Sequence, residues 1–287
     1  MDKSIFNCFN FNNRFNFNFI GREISLFIYM LVELISKTQG LGRFENQSID
    51  NIIVGQARIS TSRELNELFE EPHKLLNHCI LNQHWSIFDL ANLGFYVETS
   101  RAMGREILRH WSIHPTEFSQ RYSSNVSMEG IELRIQSKSN RQSSTDVFIG
   151  DEDSTIKLSD AAYGAGSHLY YNDAVEQTLN TIKETYNGLL SLGIARETAR
   201  FILPETTSTQ IYLNGTIRSW ITFLNARLHQ TAQKEIRLIA EKIRNILIEQ
   251  CPIISKSLFN FENAYEIHIL ERIVLEKYKV YQQVINK

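Results

Sequence analysis

The fold is decided by residues Leu93–Arg109, LGFYVETSRAMGREILR, where a strand pattern changes directly into a helix pattern. The part Leu93–Ser100 is rich in aromatic and β-branched residues and therefore predicts a strand. Ser100 is a favourable N-cap residue, so a short helix is predicted to follow through Arg109. The apolar side chains expected on its inward face are Met103, Ile107 and Leu108.

Outside this stretch, the chain has strands early and helices late. A strand pattern begins at Met30 and continues through Leu31–Ile35, whereas the polar stretch Ser137–Ser154 predicts a long surface loop. Helices are predicted at Ala161–Leu192, at Thr216 to about Glu249 and at Ser255–Lys279. Because no βαβ alternation is present, we expect an α+β fold with a central, mostly antiparallel sheet and long helices.

The first 29 residues differ in composition from the rest of the chain. Asn and Phe alternate through Phe6–Phe19 with almost no charge, which is typical of a disordered tail. The apolar run Ile24–Ile35 is too short to span a bilayer, and the cleavage site of a secretory signal is missing. We therefore expect a low-complexity extension over residues 1–29 and a single domain over residues 30–287.

Length, charge and cysteine content limit the classes of function. The 287 residues, 43% of them hydrophobic, suffice for a full core. Thirty Lys and Arg against 32 Asp and Glu give a net charge of −2, which excludes a generally basic nucleic-acid coat but leaves room for a small anionic ligand. Cys8, Cys79 and Cys251 lie far apart without a CxxC pair, which favours a reducing, cytoplasmic compartment.

The densest polar cluster follows the predicted strand. Three arginines recur every four residues on one helix face: Arg101, Arg105 and Arg109. Pro115 disfavours further helix, which places Glu117, Ser119 and Arg121 in an irregular loop. Ser119, Arg121 and the backbone N–H groups between them have the chemistry of a phosphate cradle. The alternative is a solvated helix face followed by a surface loop.

Other kinds of site have weaker support. His110 and His114 have the spacing of two metal ligands on one helix turn, but Pro115 interrupts the helix and no acidic or cysteine ligand completes the set. Ser119 lacks the G-x-S-x-G setting of an activated serine. The sequence contains neither a glycine-rich phosphate loop nor a dinucleotide fingerprint. We therefore expect neither a metal ion nor an enzyme nucleophile.

Several ordered motifs between about Met30 and Pro252 resemble the flavin-dependent thymidylate synthases. The segment Arg109-His110-x8-Ser119-x-Arg121-Tyr122 is similar to the family signature, Arg-His-Arg followed by a spaced Ser and Arg. Other matching segments occur in the family's order: Ala57–Ser60, Gln83–Phe88, Ala199–Pro204, Arg218–Trp220, Phe223–Arg227 and Ala232–Glu235. Segments similar to the longer, virus-like branch are Glu132–Arg134 and Arg141-Gln142.

This resemblance implies a thymidylate-synthase-complementing type fold and a homotetramer with FAD at the subunit interfaces. It implies that FAD takes hydride from NADPH. It also implies that methylenetetrahydrofolate gives its methylene to C5 of dUMP, which yields dTMP and tetrahydrofolate. The reaction needs no covalent enzyme nucleophile, and neither nucleic acid nor a membrane is expected as a partner.

The resemblance also implies residue roles. Arg227 would be the catalytic residue, binding the pyrimidine ring and stabilising charge that develops on it. The residues implied for dUMP binding are Glu106, Ser119, Gln120 through its backbone, Arg121, Arg200 and Arg227. The residues implied for FAD binding are Ser60, His84, Arg109, His110, Trp111, Glu117, Thr216, Arg218 and Thr222. Because Arg218 and Arg227 are about half a turn out of phase on a helix, we expect them to serve different ligands.

Two residues depart from the signature in charge. Trp111 stands where the family has its second Arg, and Glu106 stands where a Gln near the nucleotide phosphate is usual. Together they change the local charge by about −2, which opposes the binding of FAD and a phosphate unless it is compensated. Alternatively, Trp111 stacks on the cofactor or fills the core, and Glu106 pairs with Arg105 or Arg109. Further departures are Thr222 and Thr231.

Three functions therefore stay open at the level of sequence. The first is an active flavin-dependent thymidylate synthase. The second is a paralogue that modifies another pyrimidine nucleotide. The third is a non-catalytic flavin- or nucleotide-binding homologue. The arginines of the signature disfavour the third, because a chain without this chemistry has no obvious physical reason to keep them.

Overall fold

The strand predicted at 93–100 lies in the middle of a four-stranded antiparallel sheet. The computed structural model describes residues 30–60, 64, 67–123, 126–158 and 168–259. The sheet has the strand order β1-β2-β8-β3. Its strands are β1 (Leu31–Lys37), β2 (Asn92–Ser100), β3 (Ile113–Glu117) and β8 (Ser208–Thr216). The predicted extension at residues 1–29, and the end of the last predicted helix from residue 260 onward, lie outside the described residues.

Two small hairpins and a set of helices complete the described chain. The hairpins pair β4 (Arg134–Gln136) with β5 (Ser144–Val147), and β6 (Thr155–Lys157) with β7 (His168–Tyr170). The α-helices are α1 (Ile49–Ile59), α2 (Pro72–Leu81), α3 (Arg101–Leu108), α4 (Tyr171–Ser191), α5 (Arg196–Ala199), α6 (Ile217–Arg227), α7 (Lys234–Gln250) and α8 (Pro252–Leu258). The predicted α+β class with a mostly antiparallel sheet is confirmed.

The main core lies between one face of the sheet and the helices. Alternate residues of β2 and β8 are buried on this face, among them Phe95, Val97 and Ile211. From the helix side, Ile107 of α3 and Trp220 of α6 belong to the same buried cluster. The strand period of two and the helix period of 3.6 thus place apolar side chains on facing surfaces. No helix in the described part of the chain has both the length and the apolar character needed to cross a bilayer.

The prediction of one helix from 216 to 249 is wrong, because the chain breaks between α6 and α7. Leu224 and Leu228 continue the apolar stripe of α6, but the next five residues are polar apart from Ala232. In this segment, the Thr231 N–H donates to His229 Nδ1 at 3.2 Å. Such local side-chain bonds compete with the helical hydrogen bonds, so α7 starts afresh at Lys234.

Three other predictions need correction. The helix predicted at 161–192 begins only at Tyr171, because residues 168–170 form β7 (residues 159–167 are not described). The loop predicted at 137–154 contains β5, whose Thr145 and Val147 are β-branched. Glu117 does not lie in an irregular loop, because Ile113–Glu117 forms β3. As an edge strand, β3 tolerates Pro115.

Candidate functional site

Two capped helices converge on one point of the core. Ser100 and Thr216 accept the N–H groups of Met103 and Ser219, at 3.5 and 3.1 Å, and so cap α3 and α6 as N-cap residues. Thr216 pairs with the first residue of β2, and Ser100 pairs with the first residue of β8. The helices therefore leave opposite ends of the same strand pair and run toward each other. At 1.5 Å per residue, they extend about 12 and 16 Å, and the two lengths together are close to the roughly 30 Å of a nine-residue strand.

Arg227, the last residue of α6, lies where the two helices meet. Its Nε donates to His110 Nε2 at 2.9 Å, and its Nη2 donates to the backbone oxygen of Glu106 at 2.9 Å. Its Nη1 lies 2.7 Å from Glu106 Oε2. The side chain is only 17% exposed and is held through three of its five N–H groups.

His110 is a neutral partner in this cluster. Burial lowers the pKa of its imidazole to about 4, and the nearby cation of Arg227 adds to the effect. At neutral pH, Nε2 is therefore unprotonated and accepts the Arg227 bond, which leaves the ring proton on Nδ1. The ring packs edge-on against Phe223, with a centroid distance of 4.8 Å.

Glu106, implied as a dUMP contact, has its main contact with Arg227. Its carboxylate also lies 3.5 Å from Arg109, whose side chain is 75% exposed. The sequence left open whether Glu106 pairs with Arg105 or with Arg109. The pair with Arg109 is present, although it is longer than the pair with Arg227. Arg105 instead pairs with Glu205 at 2.5 Å. The negative charge of Glu106 is therefore compensated mainly by a cation 121 residues away.

A turn at residues 119–121 follows β3 and contains the implied phosphate ligands. The Arg121 N–H donates to Ser119 Oγ at 3.4 Å, and the Arg121 guanidinium lies 3.5 Å from Glu197 of α5. Arg200 is half-buried in the 3-10 turn directly after α5. Gln120 is 5% exposed, and its Nε2 makes no hydrogen bond to a described residue. The structure thus brings the implied phosphate ligands to adjoining segments.

Glu117, implied as a flavin contact, points into the start of α3. It accepts a hydrogen bond from Thr209 Oγ1 at 2.8 Å and lies 3.5 Å from Arg101. The predicted cationic face of α3 is thus paired along its length, because Arg101, Arg105 and Arg109 each face a carboxylate.

A second polar group lies at the other end of α6. The Thr216 hydroxyl donates to Asp89 Oδ1 at 3.0 Å, and Arg218 Nη1 donates to Asp89 Oδ2 at 3.0 Å. Thr222 is exposed, and its hydroxyl donates to the Arg218 carbonyl oxygen. His84 is exposed at the start of the 3-10 helix that ends in Asp89. Sequence reasoning missed Asp89, although it directly follows the matching segment Gln83–Phe88.

Two implied flavin residues are exposed at the surface. Ser60 is exposed at the C-cap of α1, where its hydroxyl donates to the Ala57 carbonyl oxygen at 2.8 Å. Trp111 is 91% exposed, so the alternative that it fills the core is wrong. Leu108 was also expected inside, but it is 38% exposed.

The two arginines of α6 occupy separate places, as their helical phase predicts. Arg218 is the second residue of the helix and Arg227 is the last, so they are about 14 Å apart along its axis. Among the residues that the structure describes, no three His, Cys, Asp or Glu side chains are grouped to hold a metal ion. His114 is exposed on β3, away from the His110–Arg227 bond.

A buried carboxylate that sequence reasoning missed, Glu129, lies at the start of α3. It is 8% exposed and accepts a hydrogen bond from the Ser100 backbone N–H. Burial raises its pKa from 4.5 to about 7, and the nearby Glu98 adds to the effect. The folded protein thus binds this proton more tightly than the unfolded chain does.

This raised pKa makes folding stability depend on pH. Since the folded form retains the Glu129 proton up to about pH 7, the free energy of unfolding should fall as pH rises from 5 to 8, by up to about 3 kcal/mol from this group. Urea unfolding of wild type and Glu129→Gln at both pH values measures the effect. The Gln variant should gain stability over wild type mainly at pH 8, and equal differences at the two pH values would contradict the prediction.

The chain is similar to known proteins over most of its length. The profile of a family described as "Thymidylate synthase complementing protein" matches residues 44–253. A flavin-dependent thymidylate synthase of Synechocystis is 36% identical over 214 residues, which cover 75% of this chain and 91% of that protein. A probable flavin-dependent thymidylate synthase of Paramecium bursaria Chlorella virus 1 is 35% identical over 80% of this chain and 99% of its own length.

A solved structure has the same fold. The crystal structure of the UMP/dUMP methylase PolB from Streptomyces cacaoi, bound with 5-Br dUMP, superposes with a TM-score of 0.60. The match covers 80% of this chain and 95% of that chain, at 22% sequence identity. At that identity, the likeness concerns the fold.

Proposed function

The chain belongs to the flavin-dependent thymidylate synthase family, and on that premise we propose that it converts dUMP to dTMP by reductive methylation. The observation that carries the proposal is the Arg227 cluster. A largely buried guanidinium is fixed by Glu106 and His110, and two of its N–H groups have no partner among the described residues, so they can donate to a ligand. Such a preorganised cation suits a pyrimidine ring on which negative charge develops.

The proposed binding mode assigns the two ends of dUMP to two segments. Ser119, Arg121 and the backbone at Gln120 would hold the phosphate, together with Arg200. Arg227 would donate to the carbonyl oxygens of the pyrimidine. Because Arg227 is largely buried, its charge acts through a less polar medium than water and is correspondingly more effective.

The residues implied for the flavin fit a dinucleotide cofactor. Arg218 and Arg109 are 49% and 75% exposed, and each pairs with one carboxylate among the described residues, so both have N–H groups to offer a pyrophosphate. Thr216, Thr222 and His84 add polar groups near Arg218. When bound, FAD would take hydride from NADPH and supply the reducing equivalents for the transfer of a methylene from methylenetetrahydrofolate.

The exposed Trp111 is compatible with this assignment. An indole ring that is 91% exposed beside His110 offers a flat apolar surface, on which an isoalloxazine or adenine ring would stack. Trp111 does not replace the positive charge of the second arginine in the family signature. Glu106 and Trp111 still favour a second candidate, a homologue that binds flavin or nucleotide without turnover or acts on another pyrimidine nucleotide.

We extend the proposal to a homotetramer in which neighbouring subunits complete each site. The separation of Arg218 from Arg227 along α6 supports this arrangement, since one small ligand does not reach both in one chain. Ser60 also lies on a different element from either group. Two buried free thiols, Cys79 and Cys251, suit the reducing cytoplasm.

The visible absorption spectrum of the purified protein, titrated with FAD and then with dUMP, tests the proposed function. We expect a bound-flavin spectrum that shifts when dUMP is added, because both ligands would share one site. A larger shift with UMP than with dUMP would favour the second candidate. A protein that binds no flavin at excess FAD would overturn the proposal.

A matched pair of variants locates the nucleotide in this titration. Arg200→Ala should lose most of the dUMP-induced shift, because a phosphate ligand is removed. Arg196→Ala, an exposed arginine four residues earlier, should retain the shift. An undiminished shift in Arg200→Ala would show that the phosphate lies elsewhere.

A further inference from the structure

The side-chain carboxylate of Glu106 occupies one N–H donor of Arg227 and places a negative charge beside the guanidinium. Of the three N–H groups that hold Arg227 in place, two donate to Glu106, one to its carboxylate and one to its backbone oxygen. The carboxylate thus neutralises the guanidinium within the folded chain. We propose that Glu106 is a positioning residue that sets the affinity of the Arg227 site for anionic nucleotides, acting through Arg227; this inference rests on the proposed function.

The balance of charge around Arg227 supports this role. His110 accepts the Arg227 Nε bond through an unprotonated nitrogen, so it contributes no charge at neutral pH. In the described part of the chain, Arg109 is the other cation paired with Glu106, but it is 75% exposed and 3.5 Å away, so water screens it. Arg227 and Glu106 therefore form a nearly neutral pair, and the phosphate of a nucleotide whose pyrimidine lies at Arg227 gains little net attraction from them.

Burial makes this neutralisation effective. The side chains of Arg227 and Glu106 are 17% and 28% exposed, and their charged atoms lie 2.7 Å apart. At such a site, the interaction of a carboxylate with a second anion is several times stronger than in bulk water. The charge of Glu106 thus weakens nucleotide binding even where the carboxylate does not touch the ligand.

Substitution by glutamine separates charge from geometry. The Gln side-chain oxygen can still accept the Arg227 Nη1 bond, and the backbone bond at residue 106 is unchanged. Glu106→Gln therefore leaves Arg227 in place and gives the pair a net charge of +1. Glu106→Asp retains the charge and serves as the conservative variant.

Isothermal titration of the FAD-loaded protein with dUMP and with deoxyuridine tests the inference. The Kd for dUMP should fall about fivefold in Glu106→Gln, as expected for removing one nearby negative charge. The Kd for deoxyuridine, which has no phosphate, should change less than twofold. The increase in dUMP affinity should be smaller at high salt. Neither Glu106→Asp nor the remote control Glu249→Gln should increase the affinity for dUMP. Glu249 is exposed on the last turn of α7.

The arms of this experiment separate the two proposals. If the wild-type protein binds dUMP and the Glu106→Gln variant binds it no more tightly, the role of Glu106 is overturned and the proposed function is not. An equal gain for deoxyuridine overturns it too, because the effect would then not depend on the phosphate. A wild-type protein that binds no dUMP overturns the proposed function as well. If the Gln variant does not fold, Glu106→Ala removes the same charge, and its ratio of the Kd for dUMP to the Kd for deoxyuridine, in which a displacement of Arg227 cancels, should fall by the same factor. An unchanged ratio overturns the role of Glu106.

Discussion

Replacing Arg227 with alanine should reduce turnover of dUMP by about a thousandfold, the loss typical of removing a preorganised donor to developing charge. The guanidinium is fixed by His110 and Glu106, so under the proposed binding mode it would not have to reorganise when charge builds up on the pyrimidine. No other described side chain replaces it, because Arg109 is exposed and Arg218 lies at the far end of α6. The initial rate of dTMP formation at saturating FAD measures the effect.

The control for this experiment is Arg196→Ala, which removes an exposed arginine from α5. It should retain wild-type turnover. Flavin content and oligomeric state should be unchanged in Arg227→Ala, because Arg227 is not among the residues implied for FAD. Turnover that persists in a correctly folded Arg227→Ala protein would show that the pyrimidine-polarising role belongs to another residue.

Replacing Trp220 with alanine should lower the free energy of unfolding by about 3–5 kcal/mol, as for other large-to-small core substitutions. Trp220 is fully buried on α6 and packs edge-on against Phe95, with a centroid distance of 4.7 Å. Its indole N–H lies within hydrogen-bond distance of the carbonyl oxygens of Leu93 and Gly215, at 3.0 and 3.1 Å. The residue therefore joins α6, which bears Arg218 and Arg227, to strands β2 and β8.

Urea unfolding measures this loss, and the chain supplies a matched control. Trp111→Ala is the same substitution at a site that is 91% exposed, and it should change the free energy of unfolding by less than about 0.5 kcal/mol. A loss below about 1 kcal/mol in Trp220→Ala would mean that the space it leaves collapses and that Trp220 does not fix α6.

Local pattern predicted the centre of the fold. The aromatic and β-branched residues of Leu93–Ser100 and the N-cap residue Ser100 predicted β2 and α3 nearly to the residue, because strand propensity and capping depend on residues close in sequence. The break after Arg227 was not predicted, since the apolar stripe continues to Leu228 and the loop depends on local bonds of polar side chains. The edge position that lets Pro115 lie in a strand is a property of the whole sheet.

The contacts between the candidate site residues were not predicted from the sequence. The resemblance identified Arg227, His110 and Glu106 separately, but their contact joins residues more than a hundred positions apart. Asp89, which holds both Thr216 and Arg218, has no sequence signal beyond its place after a matching segment. Ion pairs of this kind depend on tertiary placement, which periodicity does not encode.

The meeting of α3 and α6 has an electrostatic consequence of its own. Each helix carries a partial negative charge of about half an electron at its C-terminus, and here two such ends face one point. The backbone dipoles thus favour a cation at that point and disfavour an anion, whichever side chains stand at positions 106 and 111. The fold itself therefore stabilises the guanidinium of Arg227, independently of the carboxylate of Glu106.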